Sequence, residues 1–134
     1  MDISSFKPLV NNAFTALNNS YSPYSKFKVG ACIQTKSNKY FLGTNIENIS
    51  FGLTVCAERN AIFSAYSNGY KKEDISAIAV VTNDDIITTP CGACRQVLSE
   101  LLPHNTPIIL SNGKESKITY IDELLPDSFK SKNI

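Results

Sequence analysis

No run of apolar residues in this 134-residue chain reaches membrane-spanning length. No block of like charge occurs either. The net charge is +1 at pH 7 and the lysines are scattered, so a polyanion is not expected as the main partner. The start, Met1 to Pro8, lacks the charged and apolar regions of a secretion signal. That predicts a cytoplasmic protein with free thiols. Internal repeats and low-complexity tracts are absent. Histidine occurs once, at His104, and arginine twice, at Arg59 and Arg95. The one Cys-x-x-Cys has no second pair, so a four-thiol structural zinc site cannot be assembled from such pairs. What is there has globular proportions, 43% hydrophobic and 19% charged, and a length that fits a single domain over 1–134.

Hydrophobic periodicity predicts the elements. Phe6, Leu9, Val10, Ala13, Phe14 and Leu17 recur at helical spacing, with Pro8 in the first turn, where proline is tolerated. Tyr21 to Ser25 reads as a turn. Residues 29–35 and 39–44 read as strands joined at Ser37-Asn38, and 45–54 as a loop. A helix over 56–68 ends at Gly69. The nearly unbroken apolar run Ile75 to Thr82 suits a buried central strand. A helix over 92–102 stops before Pro103. Strands over 107–110 and 116–120 flank an Asn112-Gly113 turn, and 122–125 is a last helical turn. This order predicts an α/β fold, a mixed five-stranded sheet with helices on both faces.

Of four cysteines, Cys91 and Cys94 lie in Pro-Cys-Gly-Ala-Cys at a predicted helix start, where backbone amides favour thiolate. Alone, such a pair fits a redox couple or half of a zinc site. Cys56 opens a second helix in Cys-Ala-Glu-Arg. Three thiolates leave tetrahedral zinc one position for water, the catalytic pattern. Glu58 then lies near that position without binding the metal. A three-cysteine zinc with a non-ligand glutamate is the known arrangement of zinc deaminases. Cys32 sits in a strand outside any motif and reads as a buried thiol. His104, after a helix, reads as a surface loop residue.

Asn45-Ile-Glu47-Asn48, Cys56-Ala-Glu58-Arg59 and Pro90-Cys91-Gly-Ala-Cys94-Arg95-Gln96 resemble the cytidine deaminase family, as does Ser22-Pro-Tyr-Ser-Lys-Phe-Lys-Val-Gly-Ala31. The similarity covers nearly the whole chain. The three-cysteine set and short length resemble the homotetrameric branch. The resemblance implies one zinc per chain on Cys56, Cys91 and Cys94, and Glu58 as the group that carries protons during hydrolysis of cytidine and deoxycytidine in pyrimidine salvage. It implies that Asn45 and Glu47 hold the ribose 3′-hydroxyl, that Phe27 packs on the pyrimidine, and that backbone at Ala57 and Cys91 contacts the base. It implies that Arg59 hydrogen-bonds ligand sulfurs and offsets their charge. For Arg95 a helix-surface position stands as an equal reading. The C-terminal segment resembles one whose phenylalanine, here Phe129, caps the base in an adjacent subunit. One departure is Phe51, where the family often has an interface tyrosine. Tyr24 is expected near the same interfaces. The nearest alternative is a related deaminase of another cytosine-containing small molecule, such as blasticidin S.

Overall fold

The computed structural model describes residues Asp2 to Ser131. Helix α1 spans Lys7–Leu17, with Pro8 in its first turn. Strands β1 (Val29–Thr35) and β2 (Tyr40–Thr44) follow, then α2 (Ala57–Ser67), β3 (Ile75–Thr82), α3 (Gly92–Leu101), β4 (Ile108–Ser111), β5 (Ser116–Thr119) and α4 (Ile121–Leu124). The sheet order is β2-β1-β3-β4-β5. Only β3 and β4 run parallel; the other neighbours are antiparallel. The sheet is thus mixed and five-stranded, as the element order predicts.

The apolar run of β3 is buried because both faces are covered. Ala77, Ala79 and Val81 pack with Leu9, Ala13 and Leu17 of α1. Ile78 and Val80 pack on the other face with Ala61, Ile62, Ala65 and Leu98 of α2 and α3. Full burial of each such Ile or Leu contributes about 1.5–3 kcal/mol relative to exposure. Close approach needs glycine at two places. A Cβ on Gly30 would lie 2.0 Å from the Ala13 carbonyl oxygen. One on Gly43 would lie 2.3 Å from the Ala61 nitrogen, so α2 rests directly on the β2 backbone.

Element ends differ from expectation by a residue or two. Cys56 and Cys91 are not helical but are the extended residues just before α2 and α3 (ψ 156° and 167°). Gly69 (φ +92°) ends α2 and Gly113 (φ +87°) turns the last hairpin, as expected. Tyr21, expected only in a turn, bridges Ile46, which in turn bridges Val55. Single bridges leave no alternation in sequence. Likewise the 3₁₀ turns at Ile3–Phe6, Phe51–Leu53 and Lys72–Asp74 are too short to show a period. Among the described residues no helix is long and apolar enough to cross a membrane.

Candidate active site

Strand register fixes where the site lies. Val29 pairs with Thr82, and Gly30 with Thr44. One end of the sheet is therefore where β1 begins and where β2 and β3 finish. Phe27 enters β1 there, Asn45 leaves β2, and the loop after β3 leads to Cys91. Helices α2 and α3 both start at this end, so their first-turn amides and positive dipole ends converge on it.

Cys56, Cys91 and Cys94 meet there, their sulfurs within 4.8 Å of one another. The Cys56 and Cys91 sulfurs are 3.8 Å apart. Tetrahedral zinc with Zn–S near 2.3 Å separates two thiolates by about 3.8 Å. The backbone N–H of Cys94 points to the Cys91 sulfur at 3.5 Å. The Cys94 hydrogen bond pushes the Cys56 thiol down to about 5, with the Arg59 guanidinium adding to it. Cys94, facing Cys56 and buried, is pushed up instead. The Cys56–Cys94 pair, beside Arg59, thus favours one negative charge shared between them. A second and third at this spacing need a cation among them. The donor set fits a thiophilic divalent metal such as zinc.

Arg59 donates from Nη2 to the Cys56 sulfur at 3.4 Å. Glu58, in the first turn of α2, is only 4% exposed. Burial raises its carboxyl to about 7, and the nearby Cys56 charge acts in the same direction. A carboxyl in that range can both take and give a proton near neutrality.

A cavity of about 260 Å³ opens over these groups. Phe27, Val29, Asn45, Glu47, Glu58 and Val80 all face it, along with Cys56 and Cys91. Ala57 is fully buried and is not among the residues that line it. Asn45 and Glu47 are themselves firmly held. The Asn45 side chain donates to the Phe27 carbonyl at 2.7 Å and accepts from the Val29 N–H at 2.9 Å. Glu47 accepts from the Tyr24 N–H at 2.9 Å, the Ser25 N–H at 3.2 Å and the Ser25 hydroxyl. The Ser25 hydroxyl holds its carboxyl below the usual range. Phe129 is not in this cavity of its own chain. It is 82% exposed and borders a separate small pocket with Lys72 and His104.

Several residues here escaped the sequence reading. Thr88 and Thr89 line the cavity, and Ser25 links Glu47 to the Phe27 N–H. Hydroxyls in loops carry no pattern that marks them. His104 is not a loose surface residue. It reaches Asp122 Oδ1 at 2.6 Å from Nδ1 and the Ser99 carbonyl at 2.9 Å from Nε2, tying α3 to α4. The even reading of Arg95 resolves against a free surface charge, since its guanidinium is engaged by three oxygens. Cys32 is buried and its thiol is pushed up to about 12 by desolvation.

A family model described as the cytidine and deoxycytidylate deaminase zinc-binding region matches residues 4–109. A cytidine deaminase of Halalkalibacterium halodurans is 46% identical over 128 residues, covering 94% of this chain and 95% of the relative. A blasticidin-S deaminase of Bacillus cereus is 40% identical over 108 residues, 76% of each chain. The crystal structure of cytidine deaminase from Burkholderia pseudomallei superposes with TM-score 0.88 at 42% identity, over 96% of this chain and 100% of that one. That from Mycobacterium tuberculosis gives TM-score 0.81 at 34% identity, over 97% and 100%. With the matched region running from α1 into β4 and including all three thiols, the chain belongs to the cytidine and deoxycytidylate deaminase family.

Proposed function

We propose that this protein hydrolyses cytidine and deoxycytidine to uridine, deoxyuridine and ammonia, with one zinc per chain held by Cys56, Cys91 and Cys94. The observation that carries the reading is a near-buried Glu58 carboxyl beside three gathered thiols, in a cavity that also contains polar groups able to hold a sugar. Zinc, when bound, acts as a Lewis acid and lowers the pKa of a coordinated water. Glu58 takes a proton from the attacking water and delivers it to ring N3. As the water oxygen bonds to C4, Glu58 carries the next proton to the exocyclic nitrogen, the C4–N bond breaks, and ammonia leaves. Burial of the carboxyl suits it to both transfers.

The other residues bind and orient. Asn45 and Glu47 hold the ribose 3′-hydroxyl, and their fixed hydrogen bonds reduce the ordering cost of doing so. Phe27 packs on the pyrimidine face, and backbone at Ala57 and Cys91 meets the base. Arg59 offsets the excess charge of three thiolates. The cavity of one chain falls just below the usual range of ligand sites, about 300–1,000 Å³. A homotetramer in which Phe129 of a neighbouring copy caps the base completes the enclosure. A cytoplasmic role in pyrimidine salvage fits these substrates. The relative named for blasticidin S matches at lower identity over less of its length.

The test is an ultraviolet assay of purified protein over cytidine, deoxycytidine, cytosine, cytidine monophosphate and blasticidin S, with metal analysis alongside. The two nucleosides should turn over, with one zinc per chain. Cytosine should be poor because a site built for a hydroxyl leaves its polar groups unpaired without one. The monophosphate should be poor because phosphate meets the Glu47 carboxylate. Efficient turnover of either, preference for blasticidin S, or a zinc-free protein overturns the reading.

A further inference from the structure

The loop of residues 83–90 between β3 and α3 has no regular structure, yet it delivers Cys91 to the metal centre and Thr88 and Thr89 to the cavity wall. Near its start, Asn112 donates to the Asp85 carbonyl at 3.1 Å. Its end is taken by one guanidinium. Arg95 donates from Nε to the Pro90 carbonyl at 2.7 Å, from Nη2 to the Thr89 hydroxyl at 2.9 Å, and from Nη1 to the Leu124 carbonyl at 2.6 Å. The Arg95 N–H also bonds the Cys91 carbonyl at 2.9 Å. The side chain thus holds the Thr89–Pro90 end of the loop against the end of α4.

We propose that Arg95 is a positioning residue of the active site: its planar fork sets the approach of Cys91 to the metal and the placement of the Thr89 wall, using the Leu124 carbonyl as the fixed point. The inference rests on Cys91 being a metal ligand. Geometry explains why the residue is arginine. Three acceptors lie in three directions around one guanidinium plane, and the compact ammonium of lysine cannot meet all three. Arg95 does not line the cavity, and its guanidinium bonds oxygens, not sulfur. It acts through the backbone that carries Cys91, in the way outer partners of metal ligands commonly tune affinity.

The experiment follows zinc passing from loaded protein to an excess of chromogenic chelator, with kcat and KM for cytidine measured in parallel. Arg95→Lys should release zinc about tenfold faster or more, the range for loss of an outer partner, and should lower kcat. Thr89→Val, which removes one of the three bonds, should shift release in the same direction by less. Phe14→Ala loosens the packing of α1 on the opposite face of the sheet, without touching the loop, α3 or α4, and should release zinc at the wild-type rate. A wild-type release rate in Arg95→Lys overturns the inference. So does a Phe14→Ala protein that releases zinc as fast as Arg95→Lys, because the effect is then general loosening. If Arg95→Lys does not fold, Thr89→Val decides, and an unchanged rate there overturns the inference. A wild-type protein that holds no zinc overturns the inference and the site reading together.

Discussion

Glu58 combines a charge-bearing group, near-complete burial and a helix first turn, and each has a separate effect on its proton. Desolvation holds the proton on; the helix start eases its departure. Glu58→Gln keeps size and hydrogen-bonding capacity but cannot titrate. The variant should retain zinc and the fold, while turnover drops by at least about 10⁴-fold, the upper end for loss of an acid–base group, because both transfers pass through it. Metal analysis, circular dichroism and the cytidine assay check this, and near-normal turnover removes Glu58 from the chemistry. Glu58 and the thiols are legible from sequence because few roles fit those residue types at that spacing. The hydrogen bonds that fix Asn45 and Glu47 are not, since Ser25, Phe27 and Val29 meet them only through chain folding.

Helix α2 owes its seat to a missing side chain. It lies against Gly43 so closely that an added Cβ would come within 2.3 Å of the Ala61 nitrogen and 2.4 Å of the Ala57 carbonyl oxygen. Gly43→Ala must push the helix away from β2, at a cost of about 1–3 kcal/mol for overpacking. The displaced helix carries Cys56 and Glu58 at its start, so turnover should fall together with melting temperature. Ser67→Ala, at an exposed position in the last turn of α2, is the control and should leave both unchanged. Elements of this kind were readable where burial imposes a pattern. The β3 run and the α1 stripe were clear, whereas the bridges joining Tyr21, Ile46 and Val55 were not. Cys56 and Cys91 fall one residue outside their helices because a helix can leave its first amides free for a ligand.

On the whole chain, Ile49, Phe51 and Leu53 stand 82%, 76% and 66% exposed on the loop that runs from Glu47 to Cys56. Tyr24 meets Phe51 edge to face at 6.4 Å between ring centres. An apolar rim beside an open cavity fits burial against other copies of the chain. Light scattering at micromolar protein should give a tetramer. Truncation after Pro126 should leave that assembly intact but raise KM for cytidine, because the Phe129 cap is gone. A fully active monomer refutes the assembly, and unchanged KM in the truncated tetramer removes Phe129 from the cavity.

The strand order also dictates when the thiols can meet. The central strand β3 has its neighbours on either side in sequence, β1 before it and β4 after α3. Cys91 and Cys94 lie on the connection between β3 and β4, so their position is set only once β4 docks beside β3. During synthesis on the ribosome Cys56 therefore emerges well before its two companions have a place. The three sulfurs come together only when α2 and α3 are both seated on the sheet. An oxidant or competing ion that reaches the unfolded chain therefore meets at most the Cys91–Cys94 pair, with Cys56 not yet beside it.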